Sequence, residues 1–216
     1  MEIKHDLLLV QRSRGHNLNV TIDVYPIATE LYEELDRMGI IERMKAVPQL
    51  GVIKVKKKLN KSRYDYVMLQ LYLHQVIKNN IQSSLKLTYN NYIKEKEFNK
   101  EVTCINKDFK HSLGDVMQMM SIVYNICHFY NTFTASRAVT MMASQDVPFK
   151  NMVINASDDT NYQTAVNDLL ADKNYQRFRL INSLLILDHC NKELSSVKFA
   201  KELLYAYLNE KKFTRG

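Results

Sequence analysis

The chain has 216 residues, of which 46% are hydrophobic and 25% are charged, as in an ordinary globular protein. It contains no apolar run of about eighteen residues, which argues against a membrane span, and its charged N-terminus lacks the pattern of a secretory signal. The three cysteines are widely separated, which favours a cytoplasmic location over a disulfide-stabilised fold. The net charge of +7 suggests an anionic partner.

The order of apolar and polar residues predicts a single all-α domain over residues 1–216, with about eight helices around one buried helix. Residues 1–27 are predicted to be extended, because alternation from Leu18 to Val24 is typical of a short strand or hairpin. The predicted helices span residues 29–38, 40–47, 62–78, 112–130, 134–143, 157–170, 175–190 and 195–208. The polar stretch 79–110 is predicted to be an insertion of weak helix or extended chain.

The helix predicted from Ser112 to Tyr130 has apolar residues on every side, which indicates a central position in the core. Ser112 and Asp115 have the spacing of a capping box at its start. A second capping box is predicted at Ser62 and Asp65, where another long helix begins.

A basic cluster precedes that second helix. Its members are Lys54, Lys56, Lys57, Lys58, Lys61 and Arg63. Such a cluster can bind the phosphates of a nucleotide or a nucleic acid, but it can equally be a solvated loop between helices. Both interpretations remain open from the sequence.

Three segments resemble the HD-domain phosphohydrolases, in particular the branch that cleaves deoxynucleoside triphosphates. The sequence RMKAVPQLG at 43–51 resembles that branch's RL-x-x-I-x-QLG, and SRYDY at 62–66 resembles its TR-x-x-H helix start. IVYNICH at 122–128 resembles LLHDIGH, and it is followed by a Phe-x-x-Ser at 133–136. The resemblance covers roughly residues 30–140 and implies an HD-like helical fold.

In that family a first His, a His-Asp pair and a later Asp bind metal ions that activate water. The resemblance places Tyr66 at the first His, and Tyr124 and Asn125 at the His-Asp pair. A phenol and an amide are poor substitutes for these ligands of a divalent cation. The resemblance therefore implies a vestigial pocket of Tyr66, Tyr124, Asn125 and His128, with neither a bound cofactor nor catalytic residues.

An alternative metal site is suggested by His111 and Asp115, which are four residues apart and would share a helix face. Together with His128 they would supply three ligands for a divalent metal. The opposing interpretation is that His111 lies in solvent before the helix begins.

Three functional hypotheses follow. The first is a non-catalytic binding or regulatory module for a nucleotide or a protein partner, with no membrane contact. The second is a divergent metal-dependent phosphohydrolase that acts on nucleotides through the alternative metal site. The third is a basic helical protein that binds nucleic acid through the basic cluster.

Overall fold

The structure is a computed structural model that describes residues 1–11, 14–49, 61–83, 101–103, 110–129, 132–172 and 175–209. These ranges are mostly helical, with a β-hairpin near the N-terminus, which confirms the predicted fold class. Their helices are α1 Pro26–Arg37, α2 Ile40–Ala46, α3 Arg63–Ser83, α4 Leu113–Val123, α5 Thr132–Gln145, α6 Val147–Ile154, α7 Thr160–Ala171, α8 Phe178–His189 and α9 Ser195–Leu208. None of these helices is long and apolar enough to cross a membrane.

The N-terminal hairpin is longer than the short strand predicted at 18–24. Its strands, β1 Glu2–Gln11 and β2 Arg14–Asp23, pair antiparallel from the Glu2–Asp23 pair to the Gln11–Arg14 pair. Val20 and Ile22 are buried, and the hairpin packs against α3. An isolated two-stranded sheet is marginally stable in water, so α3 supplies the apolar surface that this hairpin needs.

Two short strands lie within or next to the predicted polar insertion. They are β3 Glu101–Thr103 and β4 Lys110–Ser112, which pair antiparallel. The helix that was predicted to end near residue 78 continues to Ser83, so the first residues of the predicted insertion belong to α3. The rest of that stretch, 84–100 and 104–109, is outside the described residues.

The first two helices follow the local chemistry of the sequence. Helix α1 begins earlier than predicted, with Pro26 in its first turn, where the missing N–H of proline costs nothing. Gly39 then adopts a φ of 75°, which separates α1 from α2. A backbone bridge between Pro48 and Ser62 joins the end of α2 to the start of α3, with a 2.8 Å hydrogen bond from the Arg63 N–H to the Val47 carbonyl.

Helix α4 is central, as predicted, and it packs against α1, α3 and α9. It ends at Val123, however, and not near residue 130. The Asn125 side chain donates a hydrogen bond of 2.8 Å to the Ser121 carbonyl, while its backbone N–H bonds to Ile122. In a continuing helix the Ser121 carbonyl would accept the Asn125 backbone N–H. Because the Asn125 side chain bonds to this carbonyl instead, the helix ends and the chain turns away.

The later helices also depart from the predicted bounds. Helix α6 forms where no helix was predicted, with the carboxylate of Asp146 accepting a hydrogen bond from the Phe149 N–H. Helix α7 begins at Thr160 with Asp159 as its N-cap, whereas the helix was predicted to begin at residue 157. A short 3-10 turn, Tyr175–Arg177, precedes α8, whereas α9 has the predicted bounds.

The predicted capping box at the start of α4 is present. The Ser112 hydroxyl accepts from the Asp115 N–H at 3.1 Å, and the Asp115 carboxylate accepts from the Ser112 N–H at 2.9 Å. We expect Ser112→Ala to lower the free energy of unfolding by about 1 kcal/mol in urea titrations, because the Asp115 N–H loses its side-chain acceptor. Ser144→Ala, at an exposed position within α5, is the matched control and should change stability by less than about 0.5 kcal/mol. Equal effects of the two variants would contradict the capping role.

Candidate functional site

The residues of the predicted vestigial pocket lie where α3 meets the segment that follows α4. Asn125 is buried, and its side-chain amide donates a hydrogen bond of 3.1 Å to the side-chain Oε1 of Gln70 on α3. Tyr66 precedes Gln70 by one turn on the same face of that helix. The Asn125–Gln70 hydrogen bond therefore joins the two segments that the motifs singled out, and the vestigial pocket itself stays a prediction.

His128 is the most enclosed ionisable group of this region, with 5% of its surface exposed. Burial lowers the pKa of its imidazole to about 3, with further contributions from the positive charges of Arg63, Arg179 and Arg43. The ring is therefore neutral at physiological pH and lies in a positive electrostatic environment.

The three arginines come from three different helices. Arg43 on α2 donates to the backbone carbonyls of Ile126 at 2.9 Å and His128 at 2.7 Å, and so holds the segment after α4 in place. Arg63 is the first residue of α3. Arg179 is the second residue of α8, between the buried residues Phe178 and Leu180.

These three charges lack counter-ions in the part of the chain that the structure describes, where no carboxylate forms an ion pair with any of them. Burial lowers the pKa of the Arg63 guanidinium, and the nearby charge of Arg179 lowers it further. The Nε atoms of Arg63 and Arg179 are enclosed without a hydrogen-bond partner among the described residues. Half-buried cations that repel each other are costly, and an anion bound between them would offset that cost.

Tyr124 holds one of these arginines in position. The Arg179 guanidinium stacks 4.2 Å from the centre of the Tyr124 ring and donates a hydrogen bond to its hydroxyl. Tyr207 contacts the same ring edge-on at a centroid distance of 6.0 Å. Tyr124 is therefore engaged in orienting a cation, a role that differs from the metal-ligand position of the resembled family.

Tyr66 lines a small cavity of about 110 Å³ beside the start of α3, together with Lys61 and Asp65. Asp65 forms the predicted capping box with Ser62, accepting from the Ser62 N–H at 2.8 Å, and it also pairs with His5 at 3.0 Å. Lys61 and Arg63 are half-buried here. The remaining members of the basic cluster, Lys54, Lys56, Lys57 and Lys58, lie outside the described residues.

The alternative metal ligands have other partners. The ring of His111 stacks on Phe199 with centroids 3.9 Å apart, and the Asp115 carboxylate is engaged in its capping box. His111, Asp115 and His128 do not form a group, and no cluster of three His, Cys, Asp or Glu side chains suited to a metal ion occurs within the described ranges.

Cys127, next to His128, has the wrong protonation state for a nucleophile. Its thiol is 9% exposed, and burial raises its pKa to about 11, although Arg43 partly opposes this shift. The thiolate needed for nucleophilic attack is therefore scarce at neutral pH.

Neither Arg43 nor Arg179 was assigned a functional role from the sequence. Arg43 falls within one of the resembling motifs, and Arg179 is the one basic residue of the α8 sequence before its terminal histidine. A lone arginine in an otherwise apolar helix is a usable signal, because such a charge must either reach solvent or find a partner. The sequence contains no comparable signal that α2, α3 and α8 bring their arginines together.

The chain was compared with known proteins at the levels of family, sequence and structure. No protein-family model matches it, and neither a curated protein nor a solved structure shows significant similarity to it. The resemblance to HD-domain phosphohydrolases therefore stays a hypothesis based on the three motifs.

Proposed function

We propose that this chain is a non-catalytic binding module for a phosphorylated small molecule, such as a nucleotide, and that Arg63 and Arg179 bind the phosphoryl group. The observation that carries the proposal is the pair of half-buried guanidinium groups, which come from different helices and lack a carboxylate partner in the described chain.

The chemistry of the two arginines favours a phosphoryl group. A guanidinium presents planar N–H donors that match two oxygens of a phosphate, and it stays charged at any physiological pH. The Arg63 backbone N–H bonds to the Val47 carbonyl, but its guanidinium forms no hydrogen bond with another described residue, and its enclosed Nε lacks an acceptor. Arg179 uses one nitrogen for Tyr124 and another for the Gln176 carbonyl, and its enclosed Nε still lacks an acceptor.

Other residues support binding more than hydrolysis. Hydrolysis of a phosphoryl ester requires a metal-bound water or a general base beside the ligand. Tyr124, which accepts a hydrogen bond from Arg179, is a phenol, and His128, which is close enough to be affected by the charges of the arginines, is a weak base because its pKa is depressed. The resemblance to enzymes that act on nucleotides supports a nucleotide as the phosphorylated ligand.

The proposal predicts that pyrophosphate and nucleoside triphosphates raise the melting temperature at constant ionic strength. At a ligand concentration near 100 times Kd the stabilisation is about 2.7 kcal/mol. In a chain of this size, that corresponds to a rise of roughly 5–10 °C. Arg63→Met should abolish the rise, because the ligand loses one of its two guanidinium partners.

Two comparisons make this thermal-shift experiment decisive. Without ligand, Arg63→Met should melt at or above the wild-type temperature, because the substitution removes the repulsion from Arg179 and breaks no hydrogen bond of the described chain. Lys192→Met removes one exposed positive charge beyond the C-terminal end of α8, whereas Arg179 lies in its first turn, and this variant should keep the full ligand response. The proposal is wrong if neither ligand shifts the wild type, or if Arg63→Met responds as the wild type does. Phosphate release from a nucleotide in the presence of Mn²⁺ would instead favour the phosphohydrolase hypothesis.

A further inference from the structure

Helix α6 has an apolar sequence, VPFKNMVI, yet none of its eight residues is buried. Val147 and Met152 are 66% and 61% exposed, the highest values among the large hydrophobic residues that the structure describes. Met141 and Met142, at the end of the preceding helix, are about half exposed. Exposed apolar residues that are scattered singly need no explanation, but several of them on one short helix that has no buried residue are typical of an interface.

The exposed residues of α6 lie on one side of the helix. Val147, Pro148, Asn151 and Met152 are exposed, whereas Phe149, Lys150, Val153 and Ile154 are half-buried. At 100° per residue, the four exposed positions fall within an arc of about 140°. We call these four residues the α6 face. Three of its four side chains are apolar, and the helix packs through its other side against α5 and α7.

The charges beside this face suit a second copy of the same chain. Asp146 and Lys150 are one turn apart along the same flank of the α6 face. The Asp146 carboxylate caps the helix, and within the described residues neither Asp146 nor Lys150 forms an ion pair. When two copies of a helix pack antiparallel, residues on the same flank face each other, so Asp146 of each copy would oppose Lys150 of the other.

The charge along the chain also favours a second copy as the partner of the α6 face. The chain carries a net charge of +7, so two copies repel each other as they approach. The segment 141–155 contains one Asp and one Lys, and it is therefore neutral. We infer that the α6 face is the contact between two copies of this chain, which pair about a two-fold axis with their α6 helices antiparallel.

Helix α6 has eight residues and is therefore about 12 Å long. A contact through its α6 face is a small interface, so the dimer is expected to be weak and concentration-dependent. Sedimentation velocity of the full chain from about 5 to 500 μM should show a reversible shift from monomer to dimer. Met152→Lys should weaken dimerisation at least tenfold, because it places a positive charge within the apolar contact. Lys150→Glu should also weaken it, because like charges would then face each other.

Ile77→Lys is the matched control, since Ile77 is a similarly exposed apolar residue on α3, away from α6. It should leave the dimer intact, and circular dichroism at each concentration verifies that all variants are folded. The inference is overturned if the wild type stays monomeric at 500 μM, as it would if the face binds another protein. It is also overturned if Ile77→Lys weakens the dimer as much as Met152→Lys does.

Discussion

Lowering the pH from 7 to 5 should destabilise the protein by about 2 kcal/mol through His128 alone. In the unfolded chain a histidine has a pKa of about 6.5, whereas burial and the charges of Arg63, Arg179 and Arg43 lower the pKa of folded His128 to about 3. Between these two values the unfolded state binds a proton that the folded state excludes. Stability therefore falls as the pH drops below about 6.5, at up to about 1.4 kcal/mol per pH unit, and the loss is complete near pH 3.

The measurement is urea unfolding of the wild type and of His128→Gln at pH 7, 6 and 5. Carboxylates also change protonation in this range, so the informative quantity is the difference in pH dependence between the two proteins. His128→Gln should lose less stability on acidification than the wild type, by about 2 kcal/mol at pH 5. His189→Gln, which changes an exposed histidine on α8, should behave as the wild type does. Parallel pH curves for the wild type and His128→Gln would show that His128 is accessible to protons in the folded state.

Lys201→Met is expected to lower the free energy of unfolding by about 2–3 kcal/mol. The Lys201 ammonium lies 2.6 Å from the Asp188 carboxylate and 3.3 Å from that of Asp159, and all three groups are less than about one-quarter exposed. Asp159 also caps α7 and accepts a hydrogen bond of 2.7 Å from the Tyr205 hydroxyl. Removing the ammonium leaves two carboxylates close together without the cation that they share, so α7, α8 and α9 lose a common anchor.

Lys198→Met is the matched control for that measurement, because it removes the same charge one turn earlier on α9. Lys198 lies 3.6 Å from Glu193, and both side chains are at least half exposed. Surface pairs of this kind contribute little to stability, so the control should change the free energy of unfolding by less than about 0.5 kcal/mol. If the two lysine variants had equal stability, the network around Lys201 would not be an anchor of the fold.

Local chemistry was sufficient to predict much of the fold. The alternation from Leu18 to Val24 indicated the hairpin, and both serine–aspartate capping boxes occur at the starts of their helices. The hairpin alternation and the capping boxes depend on residues that are close together in the sequence, so the sequence alone is enough to recognise them. The central helix shows where local reasoning fails: the apolar pattern continues past Val123, but the Asn125 side chain takes a helix carbonyl, and Arg43 binds two carbonyls further along.

The residues of the candidate site were likewise identified only in part from the sequence. Arg63, Tyr66, Tyr124, Asn125 and His128 were identified from sequence motifs, and the fold brings their segments to one junction. The sequence did not indicate that two further arginines join them. Arg43, Arg63 and Arg179 are separated by up to 136 positions, and their proximity results from the tertiary packing of the helices that carry them, α2, α3 and α8. Since the repulsion between such charges depends on their distances and burial, the anion-binding character of the site is a property of the packed helices and not of any one segment.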